Sequence, residues 1–129
     1  MLATLPVQPT IPAGDLQRAR EFYAEKLGLT PAHETPGGLM YQCGQGWFLL
    51  YPSTGAGTAQ HTLMGWVVDD IEAEVAELMG RGVVFQEYDL PNIKTVNGIA
   101  TVGPNRAAWF KDSEGNTLGL AQMAEMPPI

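Results

Sequence analysis

The feature that most constrains this chain is an order of elements that can be read twice along it. Leu5 to Ile11 alternate weakly as a first strand, and Pro6, Pro9 and Pro12 mark it as an edge or irregular one, because proline donates nothing to a ladder. Asp15 then stands as the N-cap of a helix predicted to run to about Leu27. Leu16, Ala19, Phe22, Tyr23 and Leu27 share one face of it, and Gln17, Arg18, Arg20, Glu21 and Glu25 cover the other. Gly28 ends the helix. Three strands follow: Thr30 to Glu34, Leu39 to Cys43 and Trp47 to Tyr51. They are parted by the breakers Pro36-Gly37-Gly38 and Gly44-Gln45-Gly46.

Pro52 to Ala59, rich in small residues, reads as a linker, and after it the order returns. His61 to Val68 is a strand. Asp69 or Asp70 caps a helix to about Met79, with Glu72 placed for a capping box if Asp69 is the cap. Val83 to Tyr88 is a strand, Asp89 to Asn105 a longer loop, and Ala107 to Ala121 a closing hairpin. The chain therefore reads β-α-β-β-β, linker, β-α-β-β-β, and a duplication says more about architecture than any single element. The expected class is α+β: two βαβββ modules, about 1–55 and 60–125, paired into a curved, partly closed mixed sheet around a cavity within one domain of 1–129.

Composition narrows the partners. A net charge of −7, with only seven Lys and Arg, lacks the basic footprint that nucleic acid or an anionic membrane needs. The single cysteine, Cys43, excludes an internal disulfide and fits a reducing compartment. No apolar run approaches the ~20 residues of a membrane span, and Met1 to Pro6 lacks the pattern of a secretory leader. A soluble cytoplasmic protein is expected.

The closing hairpin carries the most specific motif. Trp109 and Phe110 favour a pleated, half-buried surface. Asp112 to Asn116 supplies turn chemistry, with Gly115 free to take positive φ, and Leu118 and Leu120 alternate with small residues on the return. Phe110-Lys-Asp-Ser-Glu-Gly-Asn116, together with Asp15-Leu-Gln-Arg-Ala-Arg-Glu-Phe-Tyr-Ala-Glu-Lys-Leu-Gly-Leu29 and Val67-Val-Asp-Asp-Ile71, resembles the vicinal oxygen chelate superfamily of glyoxalase I, extradiol dioxygenases and bleomycin-resistance proteins. Ser113 stands where that family's turn usually has proline.

The resemblance implies a place for a divalent metal, held by His or Gln on the first strand of each module and Glu near the end of each last strand. Such donors leave positions open for substrate oxygens. In this chain those positions fall on Gln8, Leu63, Tyr51 and Gly119. One possible ligand without carboxylate support does not make a metal site, and His61, two residues before Leu63, adds at most a second donor. No metal and no cofactor are expected.

Among the other candidates, Tyr51 and His61 could hydrogen-bond a ligand, and Trp109 is the best candidate of the three tryptophans for a cavity wall. The stretch Tyr88 to Ala100, with Lys94, could close over a pocket. His33 is given no role, and the acids Asp112 and Glu114 belong to the turn. What the resemblance implies is a metal-independent small-molecule-binding protein, nearest in type to bleomycin-resistance members. It would sequester a small molecule in an apolar, aromatic-lined cavity as a homodimer, with Gln8, Tyr51, His61, Leu63, Trp109 and Gly119 around the ligand. The alternative is a glyoxalase-like lyase or isomerase with an atypical or metal-dependent site.

Overall fold

The computed structural model describes residues 1–124, so the expected end of the second module near residue 125 lies outside them. The first module comprises β1 (Thr10–Ala13), α1 (Leu16–Leu27), β2 (His33–Thr35), β3 (Gly38–Cys43) and β4 (Gly46–Pro52). Its sheet has the order β1-β4-β3-β2, with β1 parallel to β4 and the other pairs antiparallel. The second comprises β5 (Thr62–Val67), α2 (Ile71–Gly80), β6 (Thr95–Val96), β7 (Ile99–Val102), β8 (Asn105–Lys111) and β9 (Thr117–Gln122). Its sheet runs β5-β9-β8-β7-β6, again with one parallel pair, β5 and β9. The duplicated α+β plan is thus present, as two mixed sheets with no ladder joining them among the described residues.

Local chemistry accounts for the helices. The Asp15 carboxylate accepts from the Arg18 N–H at 3.0 Å, and Gly28 closes α1 in the left-handed region at φ 71°. In α2 the cap is Asp70, accepting from the Ala73 N–H at 3.2 Å. Glu72 is therefore not in capping-box position and pairs instead with Arg106 across on β8. Neither helix is long and apolar enough to cross a membrane.

Three expectations change. The first strand begins at Thr10: Pro9 has no N–H to donate, and only its carbonyl joins the ladder, accepting from the Leu49 N–H at 2.9 Å. Val83 to Tyr88 is not a strand: Phe85 makes a lone bridge to Phe110, and the Gln86 N–H donates to the Trp109 carbonyl. The reason lies in β7, which occupies the same flank of β8 as far as Ala108 and leaves only its end free. The expected loop of Asp89 to Asn105 supplies that competitor. It folds back at Asn97 and Gly98, both at positive φ (54° and 81°), to pair β6 with β7. An Asn-Gly pair is the favoured two-residue hairpin turn.

Strand alternation divides each sheet into two faces. Ile11, Leu39, Tyr41, Phe48 and Leu50 face α1, while Ala108, Phe110, Leu118 and Leu120 face α2, and all of them belong to one buried cluster. Trp66 joins the modules there. Its ring lies edge-on to Phe48 at 6.5 Å and stacks on Phe110 at 6.4 Å. The helix-covered faces of both sheets thus share one core, and the opposite faces are left open.

Candidate functional site

The open face of the first sheet carries the alternate residues of β4: Trp47, Leu49 and Tyr51, all half-buried. Register places Met40 opposite Leu49 and Gln42 opposite Trp47 on β3. Gln8, upstream of β1, donates its side-chain N–H to the Met40 sulfur at 2.9 Å, so it joins this face beside Leu49. His33 stacks parallel to Trp47 at 6.3 Å, a contact that a short exposed strand gave no reason to expect. Of the residues proposed from sequence, Gln8 and Tyr51 therefore share this face.

Trp109 and Gly119 meet on the open face of the second sheet. They are direct cross-strand partners in β8 and β9. A β-carbon built on Gly119 would lie 3.4 Å from both Trp109 Cδ1 and Thr62 Cγ2, so the bare backbone forms a shallow floor between those side chains. Tyr88 stands edge-on to Trp109 at 5.6 Å, extending the aromatic wall. The Tyr88 contribution was hidden in the sequence because it depends on where the chain lies after α2, not on any local motif.

Leu63 and His61 do not join them in the way that counting implied. A bulge interrupts the β5–β9 register between Thr62 and Met64, and the extra residue, Leu63, packs against the core. Thr62 is the residue brought beside Gly119. His61 lies before β5, exposed, and its side chain makes no hydrogen bond among the described residues. Lys94 lines a groove of about 700 Å³ between α2 and the β6–β7 hairpin, away from Gln8, Tyr51, Trp109 and Gly119.

The turn between β8 and β9 proves to be a clamp across the modules. Asp112, Glu114 and Asn116 are all buried. The Asp112 carboxylate accepts from the Tyr23 hydroxyl at 2.7 Å and from the Asn116 side-chain amide at 3.0 Å. Asn116 also donates to the Pro12 carbonyl at 2.8 Å and accepts from the Gly57 N–H at 3.2 Å, fastening β1 and the linker. Glu114 accepts from the Asp15 N–H at 2.8 Å and takes two bonds from the Arg18 guanidinium at 2.9 and 3.0 Å. Burial pushes the Glu114 carboxyl up, but Arg18, the Asp15 N–H and the Ser113 hydroxyl outweigh it and hold it at about 2. Burial, then the Asp112 carboxylate, pushes the Tyr23 hydroxyl up, so it stays a donor. These acids hold structure together.

Comparison with known proteins matches residues 6–120 to the Glyoxalase/Bleomycin resistance protein/Dioxygenase superfamily. The chain belongs to this superfamily. Solved structures share the fold across nearly the whole length. UcmS2 is 18% identical with a TM-score of 0.73, covering 93% of this chain and 98% of that one. The bleomycin resistance determinant encoded on the transposon Tn5 is 21% identical with a TM-score of 0.71, covering 95% and 100%. TnmS3, an antibiotic binding protein from Streptomyces sp. CB03234, is 23% identical with a TM-score of 0.66, covering 96% and 99%. At these identities the likeness speaks for fold alone. No match was found among curated protein sequences.

The superfamily's metal chemistry can be tested against the residues in place. Gly119 has no side chain, Leu63 is apolar and turned to the core, and the Gln8 amide is engaged with Met40. Among the described residues, no three His, Cys, Asp or Glu side chains gather closely enough to hold an ion. This donor set does not fit the superfamily's metal centre, and no reaction step is derived through one.

Proposed function

We propose that this superfamily member is a metal-independent small-molecule-binding protein that sequesters an apolar, aromatic ligand against its open sheet faces. The observation that carries the reading is the Trp109–Gly119 pair. A glycine facing a half-buried tryptophan, with Tyr88 edge-on beyond, would give a flat ligand aromatic walls over a backbone floor. Pockets for drug-sized ligands are built mostly of such groups, with few polar ones to orient the ligand. Tyr51 and Gln8 would supply that orientation from the first sheet, with Thr62 beside Gly119 at the floor. Two of the similar structures are described as antibiotic binding and bleomycin resistance proteins, which supports a drug-like ligand.

Each open face offers one wall only. A second copy would supply the facing wall and cover Trp47, Leu49 and Met40, so the functional unit is proposed to be a homodimer, acting in the cytoplasm. Light scattering is expected to give twice the monomer mass of 13.9 kDa.

The test is a thermal-shift panel of aromatic antibiotics and metabolites. A true ligand at a hundred times its Kd stabilises the native state by about 2.7 kcal/mol. Gly119→Leu fills the slot at a position where a β-carbon meets only ordinary contacts. It is expected to keep the unliganded Tm and weaken binding at least tenfold, about 1.4 kcal/mol. Stoichiometric metal in the purified protein, with function lost on Gln8→Ala, would overturn the reading.

A further inference from the structure

A cleft of about 520 Å³ opens on the helix-covered side of the molecule, where the two modules meet, and the open-face reading does not use it. The core-facing residues of β3 shrink as the strand nears this seam, from Leu39 and Tyr41 to Cys43. Gly44 follows with open space where a side chain would stand. The gap so left is walled by Leu29 beyond α1, Leu78 on α2 and the Trp66 ring, with Phe110 and Leu120 of the buried cluster at its base. Its charged lining groups are Asp69 and Glu74, both exposed, and no Lys, Arg or His lines it.

We infer that this inter-module cleft is a second ligand site, selective for a cation with a compact aromatic or apolar body. The body would lie against Trp66, Leu29 and Leu78, and the ammonium group would sit towards Asp69 and Glu74. Trp66 favours a cation further, because its ring face attracts positive charge. An anion of the same shape meets like charge from both lining carboxylates. The volume falls within the range of small-molecule sites.

Naphthylmethylamine and naphthylacetate are a matched cationic and anionic pair for the test. Fluorine NMR of the protein carrying fluorotryptophan at its three tryptophans reads each site separately, once the Trp66 line is assigned with Trp66→Phe. The cation is expected to move the Trp66 line saturably, with the anion at least tenfold weaker. Asp69→Asn with Glu74→Gln is expected to erase that preference. Cys43→Phe is expected to fill the cleft and abolish the shift, with thermal unfolding showing that the variant remains folded. Equal affinity for the two probes, no shift at Trp66, or a shift that survives Cys43→Phe in folded protein would each overturn the inference. Shifts confined to Trp47 or Trp109 would overturn it too, while leaving the open-face reading standing.

Discussion

Glu114 shows how a charge can be indispensable without being catalytic. Its side chain is buried, yet it accepts from a backbone N–H and from both arms of Arg18. Glu114→Gln replaces one acceptor oxygen with a donor facing other donors. The expected loss is about 2 kcal/mol, the scale for a buried hydrogen bond to a charged group. The pH dependence has a definite sign. The folded carboxyl sits at about 2, below its ordinary 4.5, so the ionised form's contribution is complete above about 4.5 and drains away as pH falls towards 2. Urea unfolding of both proteins across that window is expected to show the wild-type advantage shrinking with acid; a constant difference would contradict the assignment. The sequence did show these acids as turn residues. Their long-range partners, 89 to 99 positions away, were beyond any local pattern.

At the scale of elements, legibility follows the range of the chemistry involved. Asp15, Asp70 and Gly28 act within five residues, so both helices could be placed from sequence. Val83 to Tyr88 has strand-like composition but loses its place on β8 to β7, a competition settled by tertiary contacts. The competitor had its own signal in Asn97-Gly98, flanked by arms so short that the segment reads as loop. Gly98 is also packed tightly: a β-carbon there would lie 2.9 Å from that of Phe85, at φ 81°. Gly98→Ala is therefore expected to destabilise by about 1–3 kcal/mol through backbone strain and the clash with Phe85. Amide exchange should localise the loss to β6, β7 and the Phe85 bridge, and uniform loss would argue against it.

For the whole molecule, two modules were legible in the repeated order of elements, but not which faces they turn to one another. Trp47, Trp66 and Trp109 all lie on predicted strands, and alternation alone favours Trp109 as a cavity wall without placing the other two. The fold sends Trp66 into the shared core and leaves Trp47 and Trp109 on the open faces. The proposed site was legible in part for the same reason: Trp109 and Gly119 were named from alternation and motif, whereas the bulge at Leu63 and the reach of Tyr88 came from packing. If Phe48 and Trp66 bind the modules together, a double-mutant cycle between Phe48→Leu and Trp66→Leu should return a coupling of about 1 kcal/mol in urea unfolding. Simple additivity would mean that the modules are joined elsewhere, chiefly through the Asp112–Asn116 clamp.

That clamp also sets an order of events during synthesis. Pro12, Asp15, Arg18 and Tyr23 are made early, but their partners at Asp112, Glu114 and Asn116 come near the end. Until then the Tyr23 hydroxyl and the Asp15 N–H lack the acceptors that the finished protein gives them. Contacts of such long sequence separation slow folding, because the intervening chain must be ordered before they form. A nascent chain halted near residue 60 should therefore be open to protease along α1, and protection should arrive only when the last hairpin has left the ribosome.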